Sequence, residues 1–256
     1  MGIKDIRTKI LLSLLFMSSH EYKAVVFTKT IRTIFDLTLN KKTTTTLKNL
    51  EKNALIQSKS NDTGNTTAYT LTNKGFDEIA LIFPFFRFIR SEWDGKWRIL
   101  SYEIPERKRE LRDKLRRDVA RWGLGPWHRS FWLTPHPIIP WLKIRVSDKE
   151  IETYVQAFES DHAFGNKEVL IEKVWRKTSL EKKYRTLFKL WHTTLSTNQD
   201  SVQKMHTVVK DYVTILKDDP GLPKQLIGET WIGFEALNLF REIRNILLTK
   251  PTSSQV

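Results

Sequence analysis

The stretch from Trp93 to Pro135 limits the fold of this chain more than any other segment, because strand and helix signals alternate within it. Residues 97–102 have the composition of a short buried strand with polar residues on both sides. Pro105 suits the first turn of a helix, where its missing N–H costs little. Gly123 ends that helix, and residues 127–133 predict a second strand rich in aromatic side chains. The alternation predicts a mixed domain in which helices cover a sheet.

The rest of the central region continues this alternation. Residues 138–146 predict a third strand, in which a proline favours an edge or a bend. Residues 147–158 predict a helix with an acidic capping sequence, and residues 168–175 predict a last strand. The order β-α-β-β-α-β is typical of a ferredoxin-like domain, which we assign to residues 91–177.

The N-terminal region, residues 1–90, has the element order of a winged helix-turn-helix module. Apolar residues recur at helical spacing within residues 4–17 and again within residues 24–39, which predicts one helix followed by a second helix or a helix pair. A further helix begins after Asn40, which can cap its N-terminus. Two β-rich runs around an Asn/Asp/Gly turn predict a hairpin over residues 55–72. The fold class is therefore α+β.

The helix after Asn40 has two contrasting faces. At about 100° per residue, one face carries side chains suited to a core, namely Thr43, Leu47, Leu50 and Ala54. The opposite face carries ammonium groups, hydroxyls and an amide. Its lysines can contact phosphates while threonine or asparagine reaches base edges in a major groove, although many such faces are simply solvated. The candidate DNA-binding residues are Lys41, Lys42, Thr45, Lys48, Asn49 and Lys52 on this helix, and Lys59 in the hairpin.

The overall charge favours a polyanionic partner. Lysine and arginine number 43 against 29 aspartate and glutamate residues, giving a formal net charge of +14. Such a balance indicates nucleic acid or an anionic membrane surface. Residues 10–17 imitate a signal peptide, but Asp5 lies in the region that should be positive, and residues 79–86 are too short to span a bilayer. We expect a core helix at residues 10–17, no membrane partner, and a cytoplasmic protein associated with the nucleoid.

The remaining residue types argue against common kinds of catalytic site. The sequence has no cysteine, which excludes disulfides and thiolate metal sites. Its six histidines show no metal-ligand spacing, and no phosphate-cradling glycine loop or nucleophile motif is present. We expect no cofactor, no bound metal and no enzymatic activity.

Residues 178–256 carry three helical stripes of apolar residues and predict a helical C-terminal domain. Its role is dimer contact or an effector pocket, with Trp231 and Phe234 as candidate lining residues, although plain core packing is the commoner fate of such side chains. Arginines on the outer side of the central helix are further candidates for effector or dimer contacts: Arg109, Arg112 and Arg116.

Several short motifs occur in the order of a known family. They are WDGKWR at residues 93–98, EIPE at 103–106, GLGP at 123–126, WLTP at 132–135, DPGLP at 219–223 and WIG at 231–233. In these motifs the chain resembles the PaaX family of transcriptional repressors, named for the phenylacetate catabolic operon. The resemblance implies a homodimer that binds a palindromic operator in double-stranded DNA through winged helices. It also implies release by an aryl-coenzyme A ligand, although Ile232 stands where the family usually has proline.

The central domain is also similar to the small CRISPR adaptation protein, whose ferredoxin-like fold carries an aspartate at the end of its first strand. Glu103 occupies the matching position. Two such carboxylates across a dimer could hold a divalent metal for phosphodiester hydrolysis, so a metal-dependent nuclease is the alternative function. The simpler interpretation pairs Glu103 with a neighbouring arginine. An adaptor that binds no DNA is a third alternative.

Overall fold

The structure is a computed structural model that describes residues 5–18, 24–60, 66–89, 92–146 and 150–248. These residues form an α+β fold with two antiparallel sheets. Contacts divide the chain into two units, of which the first comprises residues 1–79, 184–215 and 232–256 and the second comprises residues 80–183 and 216–231. The domain boundaries that the sequence suggests after residues 90 and 177 stay predictions.

The N-terminal part of the chain combines helices with a small sheet. Its elements are α1 (Ile6–Met17), β1 (Val25–Val26), α2 (Lys29–Ile34), α3 (Lys41–Lys52), β2 (Ile56–Ser60), β3 (Thr67–Leu71) and α4 (Asn73–Ile82). The strands are antiparallel in the order β1-β3-β2. The predicted first helix and the two strands of the predicted hairpin are confirmed, while the predicted turn at residues 61–65 lies outside the described residues.

A short strand precedes the second helix. Val25 and Val26 pair with Tyr69 and Ala68 on β3 and form β1. β-Branched side chains fit a pleated surface better than a helix, so pairing with β3 outweighs the helical spacing. The prediction that residues 24–39 are helical is therefore wrong for their first part and confirmed for α2.

The central part of the chain contains a four-stranded sheet. Its elements are β4 (Lys96–Tyr102), α5 (Arg109–Arg121), β5 (Gly125–His128), β6 (Phe131–Thr134), α6 (Ile139–Val146), β7 (Val155–Asp161) and α7 (Lys167–Trp175). Neighbouring strands are antiparallel in the order β5-β6-β4-β7. Short 3-10 segments lie at Pro84–Ile89, Glu106–Lys108 and Glu150–Tyr154.

Three of the central predictions have the wrong element type. Residues 138–146 contain helix α6 instead of a strand, because Leu142 and Val146 are buried one helical turn apart. Within the predicted helix at residues 147–158, residues 150–154 form a 3-10 segment and the residues after them belong to strand β7, while residues 147–149 lie outside the described residues. The predicted strand at residues 168–175 is helix α7.

Tertiary pairing and local capping explain two of these differences. β7 pairs with β4 along its whole length, from Lys96 opposite Asp161 to Tyr102 opposite Val155. Because β7 is an exposed edge strand, its sequence lacks the alternation that identifies a half-buried strand. α7 begins at a capping residue, Asn166, whose side-chain oxygen accepts two backbone N–H bonds.

The second predicted strand is two strands. A turn at Arg129 and Ser130 divides residues 127–133, so that β5 and β6 form a hairpin. Both strands are short, and the continuous run of aromatic residues conceals the turn in the sequence. The hairpin places these two turn residues at one end of the sheet, next to the end of β4, where the Tyr102 N–H donates to the Ser130 carbonyl at 3.1 Å.

The C-terminal part of the chain is helical, as predicted. Its elements are α8 (Lys177–Leu195), α9 (Ser201–Leu216), α10 (Lys224–Ile227) and α11 (Ile232–Leu248). No helix among the described residues is long and apolar enough to cross a membrane.

The core of the first unit joins N-terminal and C-terminal helices. Phe16 on α1 stacks on Tyr212 of α9 at 5.8 Å and lies 4.8 Å from Phe240 of α11, measured between ring centroids. Arg244 donates to the carbonyl oxygens of Phe16 and Ser18 at 2.8 and 2.9 Å, which satisfies carbonyls left open at the end of α1. The prediction that residues 10–17 form a core helix is confirmed.

One face of the central sheet packs against α5 and α6. Leu100 and Tyr102 of β4 and Trp132 of β6 share a buried cluster with Leu115 and Val119 of α5. Because side chains alternate along a strand, the intervening residues of β4 point to the opposite face of the sheet.

A buried arginine ties the turn before β4 to the edge strand β7. Arg98 has only 5% of its side chain exposed, and it donates to both carboxylate oxygens of Asp94 at 2.8 and 2.5 Å. Its Nε donates to Glu159 of β7 at 3.0 Å. Burial opposes the charge of Arg98, but hydrogen bonds to Asp94 and Glu159 raise its pKa, and the Arg98 guanidinium lowers the pKa of Asp94. This network gives the aspartate and arginine of the WDGKWR motif a structural role.

A neutral histidine lies inside the second unit. His136 is fully buried, its Nε2 donates to the Pro220 carbonyl at 2.7 Å, and its ring stacks on Phe88 at 4.8 Å. Burial, and next the charge of Arg87, hold the pKa of His136 well below its usual range. The ring is therefore neutral at physiological pH.

The glycine of the DPGLP motif is required by close packing. Gly221 adopts a φ of +64°, and a Cβ there would lie 2.1 Å from the carbonyl oxygen of Pro84. Asp219 is buried and accepts the Gly221 N–H at 2.7 Å, which fixes the turn. The motif thus forms a tight loop that no side chain at residue 221 would permit.

Candidate nucleic-acid interface

Helix α3 is fixed by its first turn and by one buried side. The Asn40 side chain accepts the Thr43 N–H at 3.0 Å, which confirms the predicted cap. The Thr43 hydroxyl donates to the Thr38 carbonyl at 2.6 Å. Thr43, Leu47 and Leu50 are buried as predicted, whereas Ala54 is exposed because the helix ends at Lys52 and the chain turns there with φ +56°.

The opposite side of α3 is an exposed surface of donors. Each candidate DNA-binding residue is exposed: Lys41, Lys42, Thr45, Lys48, Asn49, Lys52 and Lys59. The single carboxylate on α3, that of Glu51, accepts a hydrogen bond from the Ser58 hydroxyl on β2. The acid is therefore turned toward the hairpin, and the lysines of α3 form no ion pair within the described part of the chain.

The threonine hydroxyls of α3 have defined orientations. Thr44, Thr45 and Thr46 each donate to the backbone carbonyl four residues earlier, at 3.1, 2.8 and 2.8 Å. In such bonds the hydroxyl hydrogen is donated to the backbone, so the oxygen lone pairs and the methyl group point away from the helix. Thr45 can thus accept a hydrogen bond from a base amine or contact a thymine methyl group.

The hairpin is joined directly to α3. The Leu55 N–H donates to the Leu50 carbonyl at 2.9 Å, so β2 follows α3 without a flexible linker. Lys59 lies near the tip of β2, opposite Ala68 on β3. Six of the seven candidates therefore share one helix face, and the seventh lies on the adjoining strand.

The candidate effector residues separate into three environments. Arg112 and Arg116 line a cleft of about 440 Å³ at the end of β4. Arg109 lies outside this lining and pairs with Asp113 at 3.6 Å. Trp231 is buried in the second unit with 5% of its surface exposed, and the half-buried Phe234 belongs to the first unit. The five residues do not form one site within either unit.

The cleft contains residues that the sequence did not identify as candidates, among them two from one turn. Arg129 and Ser130, in the turn between β5 and β6, line it together with Arg112 and Arg116. They are separated from α5 by β5, and only the pairing of β6 with β4 brings the turn to the end of β4. The only available signal was the position of Arg129 in a polar interruption between aromatic residues.

Glu103 does not have the predicted partner. Its side chain is exposed and lines the same cleft, but it forms no ion pair with an arginine or lysine within the described residues. Its backbone N–H donates to the Tyr154 carbonyl at 2.9 Å. No group of three or more metal-ligating side chains occurs in the described ranges. The interpretation of Glu103 as an arginine partner is wrong.

Comparisons with known proteins concern the central and C-terminal parts of the chain. The model of the PaaX protein central Cas2-like domain matches residues 90–171, and that of the PaaX-like protein C-terminal domain matches residues 172–254. No curated protein matches. Among solved structures, the chain is similar to uncharacterized protein Rv0674 from Mycobacterium tuberculosis, with a TM-score of 0.54 and 15% identity, covering 94% of this chain and 95% of that chain. At this identity the likeness concerns the fold alone.

The geometry defines an α+β protein with a lysine-rich helix beside a hairpin and with an antiparallel sheet that packs against α5 and α6. The two family matches together cover more than half of the chain. The chain belongs to the PaaX-like family, whose members are usually transcriptional regulators.

Proposed function

We propose that the protein is a dimeric, DNA-binding transcriptional repressor. The observation that carries this proposal is the outward face of α3, whose exposed lysines have no ion-pair partner among the described residues while the one carboxylate of the helix is bonded to the hairpin. Arrays of this kind suit a polyanion, because lysines can replace the counterions of the phosphate backbone. Family membership supports the same function.

The element order supports a winged helix-turn-helix module. α1, β1, α2 and α3 are followed by the β2–β3 hairpin, with β1 pairing on β3. In such modules the exposed helix enters the major groove and the hairpin, or wing, contacts the adjacent backbone. We assign α3 to the groove and Lys59 to the phosphates beside it.

The residues of α3 divide into two roles. Lys41, Lys42, Lys48 and Lys52 would contact phosphates and fix the position of the helix on the duplex. Asn49 and Thr45, which lie between them on the exposed face, would contact bases; an asparagine amide can bond adenine through two hydrogen bonds. Because the lysines contact phosphates, DNA binding should depend strongly on salt. Because Asn49 and Thr45 contact bases, it should also depend on the DNA sequence.

The second unit supports a dimer. Its element order β-α-β-β-α-β and its strand order agree with a ferredoxin-like domain, and the sheet face opposite α5 carries Ile99, Phe131 and Leu133. Phe158 lies directly opposite Ile99 on this face and is 53% exposed, and Phe164 nearby is 91% exposed. Exposed apolar patches mark interaction surfaces, and a second copy would give the two-fold symmetry that a palindromic operator requires.

The dimer has a direct test. Phe158→Asp should convert the protein from a dimer to a monomer in sedimentation equilibrium, because it introduces a charge into the apolar face. Lys182→Asp, on α8, is the control and should leave the molar mass unchanged. A wild-type protein that sediments as a monomer would contradict the dimer without contradicting DNA binding.

Family resemblance further supports release from DNA by a small-molecule effector such as an aryl-coenzyme A thioester, and a location with the cytoplasmic nucleoid. The proposal assigns no catalytic role to Glu103.

The experiment that tests DNA binding compares two double variants of equal charge. The DNA segment upstream of the gene is labelled, and its binding is followed by fluorescence anisotropy. Lys48→Ala with Lys52→Ala should lose about 100-fold in affinity, if each phosphate contact contributes on the order of 1.4 kcal/mol. Lys189→Ala with Lys210→Ala, on exposed positions of α8 and α9, should change the affinity much less. Equal losses of affinity in both variants would mean that binding depends only on the net charge of the protein, which would contradict the proposed role of α3.

A further inference from the structure

The cleft at the end of β4 is built from three separate segments of the second unit. Tyr102 ends β4 and is followed by Glu103 and Ile104, while Glu106 lies in the 3-10 segment before α5, and Arg112 and Arg116 lie on α5. Arg129 and Ser130 come from the turn between β5 and β6. Its volume of about 440 Å³ falls within the range of small-molecule sites.

The floor of this cleft is held by buried hydrogen bonds. The Tyr102 hydroxyl donates to the Arg129 carbonyl at 2.8 Å and accepts from Trp132 Nε1 at 3.3 Å. Leu115, between the two cleft arginines of α5, is buried in the core. The backbone positions of the arginines are therefore fixed without a ligand, which lowers the entropy cost of binding one.

The charges in the cleft are unevenly paired. Arg112 donates to Glu106 at 2.6 Å, so these two charges offset each other. Arg116 and Arg129 are exposed and form no ion pair or side-chain hydrogen bond with the described residues. Arg116 and Arg129 line the cleft without carboxylate partners, and its three arginines and two glutamates leave a net charge of +1 in the lining.

We propose that this cleft binds the phosphate or diphosphate group of a small molecule, with Arg116 and Arg129 as its principal donors. A guanidinium presents two parallel N–H groups that match the oxygens of a phosphate. Two such groups fit a doubly charged anion better than a single carboxylate. Ser130 adds a hydroxyl donor, and the unpaired Glu103 marks the side of the cleft where the ligand carries hydrogen-bond donors. The site lies in the second unit, so it does not depend on DNA binding through α3.

The test is calorimetric titration with inorganic pyrophosphate at low ionic strength. The wild-type protein should bind it, and Arg116→Gln and Arg129→Gln should each weaken binding by about 10-fold or more, the loss of one charge-assisted contact. Arg117→Gln is the matched control, because Arg117 is exposed on the same helix but lies outside the cleft lining, and it should bind within about twofold of wild type. Circular dichroism of each variant verifies that it is folded.

Three outcomes would overturn the proposal: no heat with the wild-type protein, unchanged affinity in the Arg116 and Arg129 variants, or an equal loss in the Arg117 variant. The Lys48→Ala, Lys52→Ala double variant is titrated as well. It should bind pyrophosphate with wild-type affinity even though its affinity for DNA is reduced. If Arg116→Gln with Arg129→Gln instead loses duplex DNA and retains pyrophosphate, the cleft is a nucleic-acid surface and the small-molecule site is refuted.

Discussion

The two units use positive charge in opposite ways. On α3 of the first unit, lysines lie exposed on one face and have no ion-pair partner among the described residues. In the second unit, Arg98 is buried between two carboxylates, and Arg112 pairs with Glu106. The net charge of +14 is therefore not one uniform property of the surface. Part of it stabilises the fold, and part is left available for a partner.

This difference distinguishes cations that stabilise the fold from cations that are available for binding. Lysine is strongly hydrated on a flexible stem and suits contacts that form and break, whereas the arginine fork suits fixed contacts with carboxylates. Burial lowers the pKa of Arg87 to about 9, and its guanidinium donates to three backbone carbonyls. Removing such a group should affect folding, while removing a lysine of α3 should affect binding.

The largest loss of stability is expected on replacement of Arg98, the buried arginine of the second unit. Arg98→Met should lower the free energy of unfolding by about 1.5–3 kcal/mol, because it removes the hydrogen bonds to Asp94 and Glu159, whose half-exposed carboxylates water can then partly solvate. Urea denaturation followed by tryptophan fluorescence measures this loss. Arg117→Met, on an exposed position, is the control. A loss no greater than that of the control would mean that Arg98 is not structural.

The next effect concerns the neutral histidine of the second unit. Its folded-state pKa lies below the unfolded value of about 6.5, so its contribution to stability is complete above pH 6.5 and is lost as the pH falls. Between pH 6.5 and 5.5 the wild type should lose about 1 kcal/mol more than His136→Gln does, because the unfolded histidine is already half protonated at pH 6.5. Urea denaturation at both pH values measures the difference, and identical pH slopes would contradict a buried neutral ring.

The smallest effect on stability is expected for the lysines of α3. Lys48→Ala with Lys52→Ala should change the free energy of unfolding by no more than about 0.5 kcal/mol per site, since the side chains are exposed and alanine favours a helix. The same urea titration measures it. A loss comparable to that of Arg98→Met would erase the distinction between the two units.

The sequence predicts the N-terminal module well because its signals are local. Asn40 caps α3 through a contact three residues away, and the buried positions Leu47 and Leu50 follow the helical period. The outward face of α3 could therefore be identified before any tertiary contact was known. The strand β1 could not, because its conformation depends on pairing with β3, some 40 residues further on.

The central domain is predicted less well because its elements are short and apolar. A run such as residues 138–146 fits a strand or a helix, and only the packing of Leu142 and Val146 decides between them. The arginine cleft likewise depends on tertiary contacts. Arg116 and Arg129 meet through the pairing of β4 with β6, which no spacing in the sequence expresses.

The salt dependence of DNA binding tests whether α3 is the DNA-binding surface. Affinity for the DNA upstream of the gene is measured by anisotropy from 50 to 200 mM salt. If about six phosphates are contacted, the wild-type affinity should fall by about 10³-fold over this range, and Lys48→Ala with Lys52→Ala should reduce the slope of log K against log salt by about 2. Binding that does not change with salt, a slope that the two lysines do not alter, or no binding at all would contradict the assignment of α3 as the DNA-binding surface.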